Sequence, residues 1–216
     1  MRAARNLFFF GRPMLAQDPA THFDHDESPG GDRIVLLRGA SWGDFQRLLE
    51  IRGDRPVPRM AYLEGVIELM SPSQPHEALK SWIGRLVEAW CLEKEIEFSP
   101  FGSWTLESKE AKRAVEPDEC YVFGDDPLGR PPDLAIEVIW TSGGLDKLEI
   151  YRMLSVREVW IWRRGRLTVH ALRGETYEEI AASEVLPGID LDQLASCLDR
   201  PTASQAIRAY RALLAP

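Results

Sequence analysis

Apolar positions change their period several times along the chain, and each change marks a new element. IVLLRG (34–39) is a short apolar run bounded by charge, which predicts a strand. In SWGDFQRLLEIR (41–52), Phe45, Leu48 and Leu49 fall on one side at helical spacing, with Ser41 as a fitting N-cap. RMAYLEGVIELMSP then reads as a hairpin that turns at Glu64 and Gly65. From about Pro75, Leu79, Trp82, Ile83, Leu86, Val87 and Trp90 give a long helix a broad apolar face.

Beyond that helix the pattern predicts mostly strands. IEFSPFGSWTLE and AVEPDECYVF each read as one, followed by a loop of Gly, Asp and Pro and a strand over 133–140. A helix is predicted from Asp146 to about Ser155. REVWIWRR and RLTVHALR then pair about a turn at Gly165, a weaker strand follows around YEEIAA, and one or two helices end the chain. Residues 1–32 hold Pro, Gly, Asp and His with no sustained period, and are expected to be a disordered tail. The HFDHDE stretch within it is not expected to hold a metal. Residues 33–216 are expected to form a single α/β domain, its mixed sheet flanked by helices.

Composition narrows the function classes. A chain of 216 residues, 44% hydrophobic and 28% charged, can fill one core in water. No window reaches the roughly 18 consecutive apolar residues that a membrane span needs. The opening MRAARNLFFFGRPMLAQ has too short an apolar run, cut by Arg12, for a signal peptide. Three cysteines, Cys91, Cys120 and Cys197, have neither metal-ligand spacing nor an even count, as expected of a cytoplasmic protein. A net charge of −8 argues against non-specific coating of nucleic acid. Locally the sign reverses, since residues 146–173 hold seven Lys or Arg against three acids.

The strand over 133–140 carries the first candidate chemistry. Side chains alternate along a strand, so Leu134, Ile136, Val138 and Trp140 share one face and are expected to be buried. Asp133, Ala135, Glu137 and Ile139 share the other, which sets Glu137 between apolar neighbours. A half-buried carboxylate there needs a cation or donors. Asp133 lies about 13 Å away along the same strand, too far to share an octahedral Mg²⁺ with oxygens about 2.1 Å from the ion. A carboxylate on the adjacent strand, roughly 4.8 Å away, suits better. Asp118 follows Pro117, which can bulge a strand and re-aim the next side chain. Asp118 and Glu137 are therefore the expected metal ligands, with Asp133 as a helper.

The next helix adds a cation. Lys147, Ile150, Tyr151 and Leu154 share one helical face, so packing Ile150 and Leu154 on the sheet carries Lys147 toward it. Two carboxylates and a lysine in the order strand, strand, helix are the parts for metal-assisted hydrolysis of a phosphodiester. Mg²⁺ or Mn²⁺ held by Asp118 and Glu137 would make a water more acidic, and Lys147 would orient it. The competing expectation is a non-catalytic nucleic-acid-binding or dimeric regulatory module that shares the fold.

These residues carry a family resemblance. YLEGVIELMSPSQPHEAL, the EPD of residues 116–118, the DLAIEV strand and DKLEIYRMLSVREVWIW resemble the Uma-two family of the PD-(D/E)XK nuclease superfamily, over about residues 41–185. In that family the lysine has moved from the strand onto the helix, which accounts for Ile139 in the place of a Glu-x-Lys lysine. The resemblance implies a restriction-endonuclease-like fold, Mg²⁺ dependence, DNA as substrate and a homodimer. IWTSGGLDK is shorter and richer in Gly than the family's usual stretch before the lysine. His76 sits where the family carries a His, on the packing face of the long helix, as a core histidine or a site residue. Tyr151 is a possible hydrogen-bond donor near the metal, although packing explains it as well. Glu64 and Glu68 flank the hairpin and are expected to be solvated, although either could supply a first-motif carboxylate. Arg163 to Arg166 read as a polar turn, and Trp160 and Trp162 as core.

Overall fold

A computed structural model describes residues 23–25, 31–102, 104–140 and 143–215. The 1–17 stretch, most of the expected tail and, with it, half of HFDHDE lie outside them. Strand β1 (Phe23–His25) falls inside the expected tail and pairs antiparallel with β2 (Arg33–Arg38). Asp32, also assigned to the tail, is buried.

α1 (Trp42–Arg52) begins as its sequence requires. Ser41 accepts from the Asp44 N–H, and the Asp44 carboxylate accepts from the Ser41 N–H at 2.9 Å, a reciprocal capping box. β3 (Arg59–Leu63) and β4 (Val66–Ser71) form the expected hairpin. Its turn residues Glu64 and Gly65 both have positive φ, which glycine adopts freely. α2 (Gln74–Glu93) starts one residue before Pro75, with Ser73 as N-cap and the proline in its first turn, where its missing N–H costs nothing.

The two strands expected next are each broken in two. β5 (Phe98–Pro100) and β6 (Leu106–Ser108) belong to different sheets, as do β7 (Arg113–Val115) and β8 (Glu119–Phe123). The second break falls at Glu116, Pro117 and Asp118. Proline offers no ladder N–H, and Glu116 turns inward to accept from the Met60 N–H at 2.9 Å and the Thr105 hydroxyl at 2.7 Å. The remaining elements are β9 (Leu134–Val138), α3 (Lys147–Met153), β10 (Glu158–Arg163), β11 (Arg166–Arg173), β12 (Thr176–Ile180), α4 (Leu191–Ser196) and α5 (Ala203–Leu214).

The fold is α/β and restriction-endonuclease-like in class, but among the described residues the single expected sheet is two six-stranded sheets. One runs β1-β2-β4-β3-β7-β6 and is antiparallel throughout. The other runs β12-β11-β10-β9-β8-β5 and is mixed, its parallel pair being β9 with β10. β9 is central to this second sheet and buried along its whole length, as a nearly continuous apolar run demands. Leu134, Ile136 and Val138 pack with Trp160 and Trp162 against α2 and α5. Ala135, on the other face, packs with Ile150, Tyr151 and Val159 and with Ala61, Leu106 and Val115 of the first sheet. Trp140 is not buried with the first group: it is 49% exposed, because the strand ends at Val138. Among the described residues no helix is long and apolar enough to cross a membrane.

Candidate active site

The β8–β9 ladder pairs Glu119 with Ile136 and Cys120 with Ala135. One step further along the same antiparallel register sets Asp118 opposite Glu137. There the ladder is completed by a side chain: Asp118 Oδ2 accepts from the Val138 N–H at 2.7 Å. Both carboxylates are buried, at 1% and 2% exposure. Their surroundings differ.

Asp118 is held by cations from two other elements. Its Oδ1 accepts from the Arg59 guanidinium on β3 and lies 2.9 Å from His76 Nε2 on α2. Arg59 also reaches Glu77 at 2.8 Å. His76 is fully buried, and its Nδ1 lies 2.8 Å from Asp32, which also accepts from the Ser73 N–H. Burial alone would push the Asp118 carboxyl up. The hydrogen bond and charge of His76, then Arg59 and Lys147, overcome burial and hold it well below the usual carboxylate range. Burial would equally lower His76, yet Asp118 and Asp32 raise it to about 9, so the imidazole is charged at neutral pH.

Glu137 is met by α3. Asp146 caps that helix by accepting from the Glu149 N–H, and Lys147 in its first turn reaches Glu137 Oε2 with Nζ at 2.7 Å. One helical turn on, the Tyr151 hydroxyl donates to Glu137 Oε1. Burial, then the Asp118 charge, push the Glu137 carboxyl up, and the charge of Lys147 only partly offsets them. For Lys147 burial acts downward, but Glu137, Glu68 and Asp118 hold the ammonium above its ordinary value. It is a permanent cation near neutral pH.

Several sequence expectations resolve differently. Asp133 lies at the far end of β9, where it accepts from the Phe123 N–H at 2.9 Å and meets Arg130 and Arg157 at 3.1 and 3.2 Å. It braces the β8–β9 connection and does not join the site, because four residues of extended chain separate it from Glu137. Glu64 is exposed in its turn and pairs with Arg113. Glu68, expected in solvent, is 3% exposed and faces Lys147 from β4 of the first sheet. Its parity with Val66 and Met70 was the available signal. Asp32 and Arg59 also belong to the cluster, and nothing local in the sequence marks either one.

A cavity of about 260 Å³ opens beside this cluster, lined in part by Glu68, Glu137, Lys147, Leu145, Ile161 and Arg163. Among the described residues no three His, Cys, Asp or Glu side chains gather as a metal centre. Mg²⁺ keeps several waters and takes one or two carboxylates plus substrate phosphate, rather than a closed protein cage. Asp118 and Glu137 supply that pair of hard oxygen donors. The upward push on Glu137 is the burden a bound cation would relieve. The residues present fit Mg²⁺ or Mn²⁺.

No curated protein matches the chain. A family model, Uma2, described as "Putative restriction endonuclease", matches residues 42–198, which hold β5 and β8 to β12 of the second sheet, β3, β4, β6 and β7 of the first, and Arg59, His76, Asp118, Glu137, Lys147 and Tyr151 of the cluster. The chain belongs to the Uma2, or Uma-two, family.

Proposed function

We propose that the protein is a Mg²⁺-dependent DNA endonuclease that hydrolyses phosphodiester bonds, with Asp118 and Glu137 as metal ligands and Lys147 as the catalytic cation. The observation that carries this reading is the register-opposed pair Asp118 and Glu137, with the Lys147 ammonium 2.7 Å from Glu137. A bound Mg²⁺ would supply Lewis-acid chemistry there, neutralising phosphate charge and making a water more acidic.

The chain's own groups do the rest. Arg59 and His76 fix the Asp118 carboxylate, and Tyr151 fixes Glu137, so neither must reorganise during the reaction. Lys147 remains protonated and therefore acts as a charge, not as a general base. It orients the attacking water and offsets the negative charge that builds on the phosphoryl oxygens. The water oxygen bonds to phosphorus as the P–O bond to one sugar breaks, and the proton that the water gives up passes through solvent to the departing alkoxide. Arg163, exposed and among the residues that line the cavity, would meet the phosphate backbone. The assembly proposed with this activity is a homodimer, whose mass sedimentation would report.

A specific observation favours a second reading. Both oxygens of Asp118 and both of Glu137 already have partners within the chain, as in a purely structural charge network of a non-catalytic nucleic-acid-binding or dimeric regulatory module. Plasmid DNA incubated with Mg²⁺ separates the two. The nuclease reading expects nicking by the wild-type protein that is lost in Glu137→Ala and Lys147→Ala and stopped by chelator. Equal nicking by all three proteins, or none by any, removes that reading.

A further inference from the structure

Lys147 pairs with Glu137 of the second sheet, yet a contact that fixes its approach comes from the first. Among the described residues between β9 and α3, Ile139 extends the second sheet's ladder by one step, donating to the Trp162 carbonyl at 2.9 Å. Glu68, on β4, reaches across from the first sheet, and its Oε2 accepts from the Leu145 N–H at 2.7 Å, two residues before Lys147. Gly144 lies directly beneath the same oxygen. A Cβ at that position would stand 2.6 Å from Glu68 Oε2, closer than carbon and oxygen tolerate. A buried carboxylate reaching a backbone N–H between sheets is a specific contact, since a charge at 3% exposure without donors would be costly. The same carboxylate faces the Lys147 ammonium.

We infer that Glu68 is a positioning residue for Lys147: with Gly144 and the Leu145 N–H it forms a latch that fixes the start of α3 and so the ammonium's distance from Glu137. This rests on the proposed role of Lys147 but has its own test. The latch explains why a short, Gly-rich connection delivers the lysine accurately. Glycine at 144 leaves room for the carboxylate, the adjacent N–H receives it, and the next residue but one carries the cation. Glu68 touches no reacting atom in this account and acts through Lys147 alone.

The decisive variant is Gly144→Ala. Its added methyl meets only the end of the Glu68 side chain, which can swing away at little cost to the fold, releasing Leu145 without disturbing either sheet. Glu68→Ala removes the latch from the other side, while Glu68→Gln keeps an oxygen to accept from Leu145. The measurement, on the full chain, is the acylation rate of Lys147 relative to Lys80, read by mass spectrometry. Lys80 pairs with Glu77 and Glu119, away from the latch, and serves as internal reference. Gly144→Ala and Glu68→Ala should both raise Lys147 labelling several-fold, and Glu68→Gln, which keeps the acceptor for Leu145 but loses the charge, should raise it less than Glu68→Ala. In the cleavage assay the first two should lose on the order of 100-fold in kcat, the scale set by misplacing a catalytic group by an ångström, with KM little changed. Unchanged Lys147 labelling in folded Gly144→Ala, or an equal rise at Lys80, overturns the latch. Labelling decides this even if no protein cuts DNA, so failure of the nuclease reading is a separate result.

Discussion

The imidazole of His76 lies 2.9 Å from the Asp118 carboxylate on one side and 2.8 Å from Asp32 on the other, wholly out of solvent. A neutral ring can donate to one of two such carboxylates but not to both; the imidazolium donates to both. The charge of His76 is therefore part of how Asp118 is held.

That charge gives stability a definite pH dependence. The folded-state pKa of His76 is raised to about 9 from an ordinary 6.5, so its contribution is complete below about 6.5 and disappears as pH rises through about 9. At about 1.4 kcal/mol per unit the effect is on the order of 3 kcal/mol. The buried thiols of Cys91 and Cys120, both pushed up to about 12 by burial, add a loss in the same direction once unfolded thiols begin to ionise. Urea denaturation of the metal-free protein should show a decline from pH 6.5 to 9.5 that is much shallower in His76→Gln. Parallel declines in the two proteins would show that His76 is not the titrating group.

Tyr151→Phe removes the hydroxyl that donates to Glu137 and changes nothing else in the ring's packing. A hydrogen bond to a buried charged group is worth about 1.5 to 3 kcal/mol, and the variant should lose that much stability by urea denaturation. A loss within error would mean that Lys147 alone satisfies Glu137.

Asp133→Asn probes the acid that the geometry leaves outside the cluster. Its partners Arg130, Arg157 and the Phe123 N–H are structural, so stability should fall by about 1 to 2 kcal/mol while cleavage by the folded variant stays at the wild-type rate. A loss of kcat with unchanged stability would return Asp133 to the site.

Ile136 tests the frame beneath the pair. It is fully buried on the face of β9 opposite Glu137, against α2 and α5. Ile136→Ala should cost about 2 to 5 kcal/mol in chemical denaturation. A cost below about 1 kcal/mol would contradict tight packing at this centre of the sheet.

Much of the site was legible because it is built on local periods. Period two along β9 put Glu137 among apolar neighbours, and strand spacing chose Asp118 over Asp133 as the acid beside it. Helical period placed Lys147 and Tyr151 on the face that packs. What stayed hidden depends on how distant segments meet. AVEPDECYVF looks like one strand, but Pro117 and the inward turn of Glu116 pass the chain from one sheet to the other, so a single sheet was expected where there are two. Arg59 and Asp32 gain their places in the cluster through Asp118 and His76, far away in sequence. Glu68 was readable, since it shares parity with Val66 and Met70, but its place on a hairpin suggested solvent. Trp140 misled in the opposite way: alternation was carried past Val138, where the strand stops.

Divalent-ion binding tests the central assignment most directly. Titration calorimetry with Mn²⁺ or Mg²⁺ on the wild-type protein, Asp118→Ala and Glu137→Gln should show one site in the first that both substitutions abolish. Absence of any binding to the wild type, or binding undiminished in Asp118→Ala, would contradict the pairing of these two carboxylates around a metal.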